Sequence, residues 1–393
     1  MIQGILKVVN WNVGGAKYLE LKSDKSKKHN EDDETREQFR RRLNIALNTL
    51  LDGSEWPEVV TLQEVVQYHE SGNTQKARDV IDCPEDYFFY PFWLIDTHRH
   101  SAQGKWDKVR ENGDWPPAAY FAQGNAILVR KDVGLFPIWS LPDVNVLRDD
   151  AQLPAFYRQG EPGQRCIEQV LLESGLYFGN RDTEPRAALV THLVLSGIRQ
   201  RNNSEILALE KPLDVFVINL HLTTLTMERE GVPNIDDEAM RTRLRQLDIV
   251  LNDIISPYNR WRREGFPIRG KEFVPKKDVE TTKRHAPIWI IAGDFNFTPE
   301  STEYETLVRR GFIDLIAPDQ KEARPEHRTG TKAKGFGTDP KIKLDYVFAG
   351  PRFEVIDPTD AENRTGFNHV NTDIRVSDHF PLKIDVPIKL DTL

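Results

Sequence analysis

"PIWIIAGDFNFTP" (residues 287–299) runs through an apolar block and then stops at Asp294, Asn296 and Pro299. A run that is apolar at every position from Ile288 to Ala292 reads as a strand buried on both faces. An acid and an amide directly after such a strand commonly form a turn or cap the next helix, and Pro299 with Glu300 and Glu303 predicts a short helix over 300–310. The same pattern recurs along the chain. Apolar runs of strand length lie at 5–9, 58–62, 87–95, 126–130, 187–195, 214–222, 288–293, 345–350 and 381–386. Several end on a polar group: Trp11 and Asn12, then Glu64, then His221, then Asp294, while Asp378 and His379 precede the last run. Helical periodicity occupies 35–51, with Phe39, Leu43, Ala46, Leu47 and Leu50 on one face, and 238–255, with Met240, Leu244, Leu247, Val250, Leu251 and Ile254. Strands and helices mixed in this order predict a layered α/β or α+β architecture.

The bulk numbers narrow the function classes. The chain has 393 residues, with 61 acidic against 53 basic side chains and a formal charge of -8, a balance unlike that of a protein built to coat nucleic acid. Cys83 and Cys166 lack the paired spacing of a structural zinc site and are too few for a disulfide framework. The N-terminal "MIQGILKVVNWN" has no basic region followed by a long apolar core, and no segment reaches the ~20 apolar residues of a membrane span. A cytoplasmic chain without a membrane span is therefore expected.

If the strand ends meet at one edge of the core, Glu64, Asp294, Asp345 and Asp378 share a small volume. Two carboxylates about 4 Å apart repel by roughly 4 kcal/mol at an effective dielectric near 20, so such a cluster needs a cation, a raised pKa or a basic partner. Oxygen ligands without cysteine favour Mg²⁺, Mn²⁺ or Ca²⁺ over zinc. His379 can accept a proton if a carboxylate, with Asp345 the candidate, holds its other ring nitrogen. An acid, a histidine and amide donors around a cation suit phosphate-ester hydrolysis.

The segments "NWNVGG" (10–15), "LQEV" (62–65), "GNAILVR" (124–130), "NLHLTT" (219–224), "GDFNFTP" (293–299), "LDYVFAG" (344–350) and "SDHFPL" (377–382) occur in the order found in the endonuclease/exonuclease/phosphatase superfamily. The chain resembles that superfamily, which includes deoxyribonuclease I, AP endonucleases, neutral sphingomyelinases, inositol polyphosphate 5-phosphatases and tyrosyl-DNA phosphodiesterases. The resemblance implies a DNase I-like four-layer sandwich, two mixed β-sheets face to face with helices on the outer faces. It implies one domain over residues 1–393 with insertions near 97–118, 131–185, 262–285 and 318–343.

It further implies Mg²⁺ or Mn²⁺ held by Glu64, Asn12 and Asp378. Catalysis is then assigned to His379, Asp294, Asp345, His221 and Asn296, and phosphate binding to Asn12, Asn296, His221 and Arg186. Metal number and the identity of the general base differ between branches and stay open. His221 in "NLHLTT" stands where the AP endonucleases carry a Tyr and Asn motif, which points away from AP-site cleavage. The expected activity is a phosphodiesterase or nuclease acting on DNA or RNA; a phosphomonoesterase or a phospholipase C-like hydrolase of a phosphorylated small molecule or lipid head group is the alternative. The complete residue set argues against a dead binding module. The loop 97–118 reads first as a solvated loop with aromatic anchors, and it also offers His98, Arg99, His100, Lys105, Trp106 and Trp115, basic and aromatic groups of the kind that grip a phosphate backbone.

Overall fold

The structure, a computed structural model, describes residues 2–14, 36–51, 56–69, 77–79, 81–96, 121–133, 167–173, 186–200, 205–223, 235–256, 259, 287–315, 332–333, 340–350, 368–369, 377, 379 and 381–390. The expected insertions 97–118 and 262–285 lie outside these residues, as does Asp378.

Fifteen strands are described. They are β1 (Ile2–Asn12), β2 (Val59–His69), β3 (Ala77–Asp79), β4 (Tyr87–Asp96), β5 (Phe121–Arg130), β6 (Ile167–Glu173), β7 (Arg186–Gln200), β8 (Ile206–His221), β9 (Ile288–Asp294), β10 (Ile313–Asp314), β11 (Lys332–Ala333), β12 (Pro340–Ile342), β13 (Asp345–Gly350), β14 (Asn368–His369) and β15 (Leu382–Leu390). The helices are α1 (Arg36–Leu51), α2 (Ile235–Asp248), which continues as a π-helical stretch over Ile249–Ile255, and α3 (Thr302–Arg309).

One half of the sheet system is ordered β15-β1-β2-β5-β4 and the other β7-β8-β9-β13-β10, with β6 on β7. The halves are joined where Gly4 and Ile5 of β1 pair with Gln200 and Arg199 of β7. They are two halves of one hydrogen-bonded sheet, joined through the β1–β7 pair. Parallel β1–β2 and β8–β9 pairs among antiparallel neighbours make the sheet mixed. With helices packed on it, the sheet makes an α+β architecture.

The shared core lies between the halves. Leu6, Val8, Val59, Ile127, Ile384 and Val386 of one half pack with Leu189, Val215, Val217, Ile290, Ala292 and Val347 of the other. These residues occupy alternate positions on each strand, as the two-residue period requires. The other face of the β7–β8–β9–β13 half is apolar too. There Val190, Phe216, Ile218, Trp289, Ile291 and Phe348 pack against Leu247, Val250, Leu251 and Ile254 of the long helix and Leu307 of α3. That double burial explains why 288–292 carries no polar position. Helix α3 begins at Thr302, two residues later than expected, because Ser301 is its cap, its hydroxyl accepting from the Tyr304 amide at 3.2 Å.

Three features depart from the sequence reading. The segment 131–185, read as an insertion, contains β6, an edge strand whose Glu168, Gln169 and Glu173 break the apolar run. Strand β8 starts eight residues earlier than its apolar run, because Glu210, Lys211 and Pro212 fall where its register with β7 shifts between Leu195 and Gly197. Helix α2 starts at Ile235 and first buries polar groups: Gln246 bonds Thr223 through both its amide atoms, and Arg243 Nε donates to Glu303 Oε1 at 2.8 Å. No helix among the described residues is long and apolar enough to cross a membrane.

Following the inward-facing rows of β1, β2 and β8 toward one end of the core, side chains change in the same sequence. Val8 gives way to Asn10 and then Asn12; Val59 to Thr61 and Gln63; Val217 to Asn219 and His221. The middle members form a buried polar layer. Gln63 Nε2 donates to Asn10 Oδ1 at 2.9 Å and Asn219 Oδ1 at 2.7 Å, Thr61 Oγ1 donates to Asn10 Oδ1 at 2.8 Å, and Asn10 Nδ2 donates to the Gly293 carbonyl at 3.2 Å. Gly293 is required here, since a Cβ would stand 2.0 Å from the Leu220 carbonyl oxygen. At the opposite end, Glu58 accepts from the Lys7 amide at 2.6 Å and pairs with Arg130 at 3.2 Å and Arg199 at 3.4 Å.

Candidate active site

Beyond the amide layer, strand register lines up the polar groups. His221 lies opposite Asp294 in the parallel β8–β9 pair, and Asp294 lies opposite Asp345 in the antiparallel β9–β13 pair. One histidine and two carboxylates thus stand side by side on three adjacent strands. Asn12 and Glu64 face them from β1 and β2. Asp294, Asp345, His221, His379, Asn296 and Asn12 are all buried, whereas Glu64 is half-buried.

Backbone strain aims two of these groups. Glu64 has φ 54° and Asn296 φ 53°, the only non-glycine residues with positive φ among those described. Asparagine tolerates the left-handed region, but glutamate seldom adopts it, at a cost on the order of 1–3 kcal/mol. Glu64 lies in a bulge where the β2–β5 register shifts between Leu62 and Val65. This extra residue turns its carboxylate toward the same side as Gln63. Asn296 is held by the turn at the end of β9. Its amide donates to Asp294 Oδ1 at 3.0 Å, its Nδ2 donates to the Leu222 carbonyl at 3.1 Å, and the Phe295 amide donates to the Leu344 carbonyl at 2.9 Å.

Asp294 Oδ2 is the centre of the arrangement. Asn12 Nδ2 donates to it at 2.9 Å and to Glu64 Oε1 at 3.0 Å, with the amide oriented by the Gly14 backbone amide donating to Asn12 Oδ1 at 3.0 Å. His221 Nε2 and His379 Nε2 each stand 3.7 Å from the same Oδ2. His379 Nδ1–H donates to Asp345 Oδ2 at 2.8 Å, because an ionised carboxylate only accepts, and this leaves the lone pair of the neutral ring on Nε2. Arg186 Nη1 donates to His221 Nδ1 at 2.9 Å; a guanidinium has no acceptor, so the His221 proton sits on Nε2. One histidine thus offers an acceptor and the other a donor at the same place. Trp11 Nε1 donates to the His379 carbonyl at 3.1 Å, and the His379 amide donates to Ser377 Oγ at 3.1 Å, which fixes the backbone that carries the ring.

The expected site residues Asn12, Glu64, Arg186, His221, Asp294, Asn296, Asp345 and His379 come together, and Asp378 lies outside the described residues. Among the described residues, the group whose candidate ligand atoms all lie within 4.8 Å of one another is Asp294, Asp345 and His379, three residues expected in catalysis, whereas Glu64, Asn12 and Asp378 were the expected metal set. The register that sets Asp345 beside Asp294 makes this group compact. The donor chemistry around Asp294 Oδ2 and Glu64 Oε1, two carboxylates converging on a single amide, suits a hard divalent cation.

Sequence reasoning passed over Asn10, Gln63, Asn219 and the Lys343–Asp314 pair. Lys343 Nζ stands 2.5 Å from Asp314 Oδ2 and 4.6 Å from the Tyr346 ring centroid. Burial pushes the Lys343 ammonium below its ordinary value, and the Asp314 carboxylate opposes that shift. Tyr304 hydroxyl also donates to Asp314 Oδ2, and Tyr346 hydroxyl donates to the Phe297 carbonyl at 2.9 Å. Asn10 and Asn219 carried a visible signal, an amide two residues before a site residue in an otherwise apolar strand.

The profile of the Endonuclease/Exonuclease/phosphatase family matches residues 9–379. No curated protein matches the chain. Among solved structures, a functionally unknown conserved protein from Enterococcus faecalis V583 is 13% identical, covering 97% of this chain and 99% of that one at a TM-score of 0.45. The human Nocturnin catalytic domain with bound sulfate is 11% identical over 98% of this chain and 95% of that one, with a TM-score of 0.44. The Bacteroides thetaiotaomicron VPI-5482 mannosyl-6-phosphatase Bt3783 is 13% identical over 96% of this chain and 98% of that one, with a TM-score of 0.43. Since the family profile spans β1 to His379 and includes each strand that supplies the site, the chain belongs to the endonuclease/exonuclease/phosphatase family, whose members are phosphoester hydrolases.

Proposed function

We propose that the chain is one catalytic domain, a divalent-metal-dependent phosphodiesterase that cleaves DNA or RNA by attack of water on phosphorus. The observation that carries the hydrolytic reading is the pair of histidines whose Nε2 atoms each stand 3.7 Å from Asp294 Oδ2 while their Nδ1 atoms face opposite partners, the Asp345 carboxylate and the Arg186 guanidinium. The nucleic-acid reading rests on the basic and aromatic groups of 97–118.

His379 Nε2, held by Asp345, accepts a proton from water that Asp294 and Asn296 position. His221 Nε2–H, set by Arg186, donates to a phosphoryl oxygen as negative charge develops on it, and the Asn12 and Asn296 amides contribute further donors. Glu64 and Asp294, with Asn12 beside them, would hold Mg²⁺ or Mn²⁺, and Asp378 joins them on its sequence position alone. Asp345 is assigned to orientation, not to the metal, because its Oδ2 accepts from His379. When bound, the cation supplies polarisation of the phosphoryl group and neutralises developing charge.

The purified chain is to be assayed with Mg²⁺ or Mn²⁺ on single- and double-stranded DNA, RNA, sphingomyelin and inositol phosphates. Glu64→Ala is expected to weaken Mn²⁺ binding, measured by calorimetry, by about tenfold or more. Turnover of nucleic acid alone supports the reading, whereas turnover of only the lipid or inositol phosphates replaces it with the phospholipase C-like or phosphatase alternative. Equal Mn²⁺ affinity in wild type and Glu64→Ala sinks the metal assignment.

A further inference from the structure

We propose that Asn219, which lies in the buried amide layer, is a positioning residue that locks the β2 bulge and thereby aims Glu64 at the site. The inference rests on the metal-binding role proposed for Glu64. The bulge places two residues, Gln63 and Glu64, where β5 supplies only Asn125, and the last regular pair before it is Leu62 with Ala126. Asn219 Nδ2 donates to both carbonyls of that pair, to Leu62 at 3.0 Å and to Ala126 at 2.8 Å. Its Oδ1 accepts from Gln63 Nε2 at 2.7 Å, so the first bulged residue is held from the side-chain direction as well. Asn219 therefore grips the bulge at three points from β8, the strand of the opposite half that carries His221.

The physical need is clear from the backbone. Glu64 occupies a left-handed conformation at φ 54° that a glutamate adopts only when its surroundings determine it. On the Gln63 side the restraint is supplied by the Asn219 amide, since a regular ladder there would turn the Glu64 side chain to the other face of β2. The same bonds fix the spacing between the halves at the level of the site. Asn125, opposite the bulge, adds a bond from Nδ2 to the Ala187 carbonyl at 3.4 Å, next to Arg186. Asn219 is fully buried and touches no reacting group; its action on the chemistry passes through Glu64.

The test is a double-mutant cycle between Asn219→Leu and Glu64→Gln, with thermal melting to confirm folding and Mn²⁺ binding to the substrate-free protein read by electron paramagnetic resonance. Asn219→Leu is expected to lower Mn²⁺ affinity about fivefold or more and kcat about tenfold or more, with KM for the phosphoester within about twofold. In the Glu64→Gln background, Asn219→Leu should change neither quantity further. A scaffold role alone would give the same loss in both backgrounds, and that additivity overturns the proposal. So does unchanged Mn²⁺ affinity in the single variant. Gln63→Met, which loses the bond to Asn219 Oδ1, is run in parallel and read the same way; if neither variant folds, Asn219 is a structural residue and the proposal falls. If Glu64→Gln itself leaves Mn²⁺ binding intact, the metal assignment falls with it, whereas a Glu64 effect with additive Asn219 loss removes this proposal alone.

Discussion

His379→Ala is expected to lower phosphoester hydrolysis by about 10²- to 10⁴-fold, with KM little changed. The Nε2 lone pair is the acceptor the geometry offers to a water near Asp294, and alanine removes it without disturbing the Trp11 bond to the residue 379 carbonyl or the Ser377 bond to its amide. Asp345→Asn tests the same device from behind. An asparagine that turned its amide toward the ring would donate to Nδ1 and place the proton on Nε2, the wrong side for accepting one. Its loss in kcat should therefore approach that of His379→Ala, and the double variant should be no slower than the worse single one. Single-turnover rates on the substrate found by the parallel assay check this. Retention of wild-type kcat by His379→Ala would remove the acid–base account.

Asp314→Ala is expected to destabilise the fold by about 3–5 kcal/mol near neutral pH, because it strands the Lys343 charge in the core. The loss should also depend on pH, in a direction set by Lys343. Its folded pKa is lowered from 10.5, mainly by burial, and the Asp314 carboxylate works against that shift. Without Asp314 the folded pKa falls further. Between the folded and unfolded values the unfolded chain holds more protons, so stability rises with pH in that window. The Lys343 part of the Asp314→Ala defect is thus full below the variant's folded pKa of Lys343, shrinks as pH rises from there, and is gone at the wild-type folded pKa, which lies below 10.5. Burial also raises the Tyr304 and Tyr346 hydroxyls above their usual range, so both stay protonated throughout the window. Chemical denaturation at pH 7 and pH 9 reads the difference. A pH-independent loss would show that Lys343 is not the group responsible. The paired replacement Asp314→Leu with Lys343→Met should recover most of the stability, since matched apolar groups leave no buried charge.

How much of this was legible in the chain differs from element to element. Strand β9 was read to within one residue, because burial on both faces leaves only apolar side chains between Ile288 and Ala292. Strand β6 was not, because an edge strand tolerates Glu168 and Gln169 and so loses the apolar signature. Helix α2 begins three residues before the periodic stretch 238–255, because Asp236, Asp237 and Glu238 open it, and its buried Thr242, Arg243 and Gln246 escape the pattern because Thr223 and Glu303 meet them. That pairing joins positions 20 or more residues apart, beyond any local pattern.

The sequence by itself determined the mixed strand and helix content, the family, and the residue types that gather at the strand ends, since each follows from local periodicity or from motifs that keep their order. Only the tertiary structure decided which atoms face one another. The direction of a ring proton is set by the partner on its far nitrogen, Asp345 for His379 and Arg186 for His221, and those partners lie 34 and 35 residues away along the chain. The inward turn of Glu64 likewise needs a bulge whose amide restraint arrives from β8. Hydrogen-bond direction and backbone strain belong to pairs of strands, and a pair of strands exists only once the chain has folded.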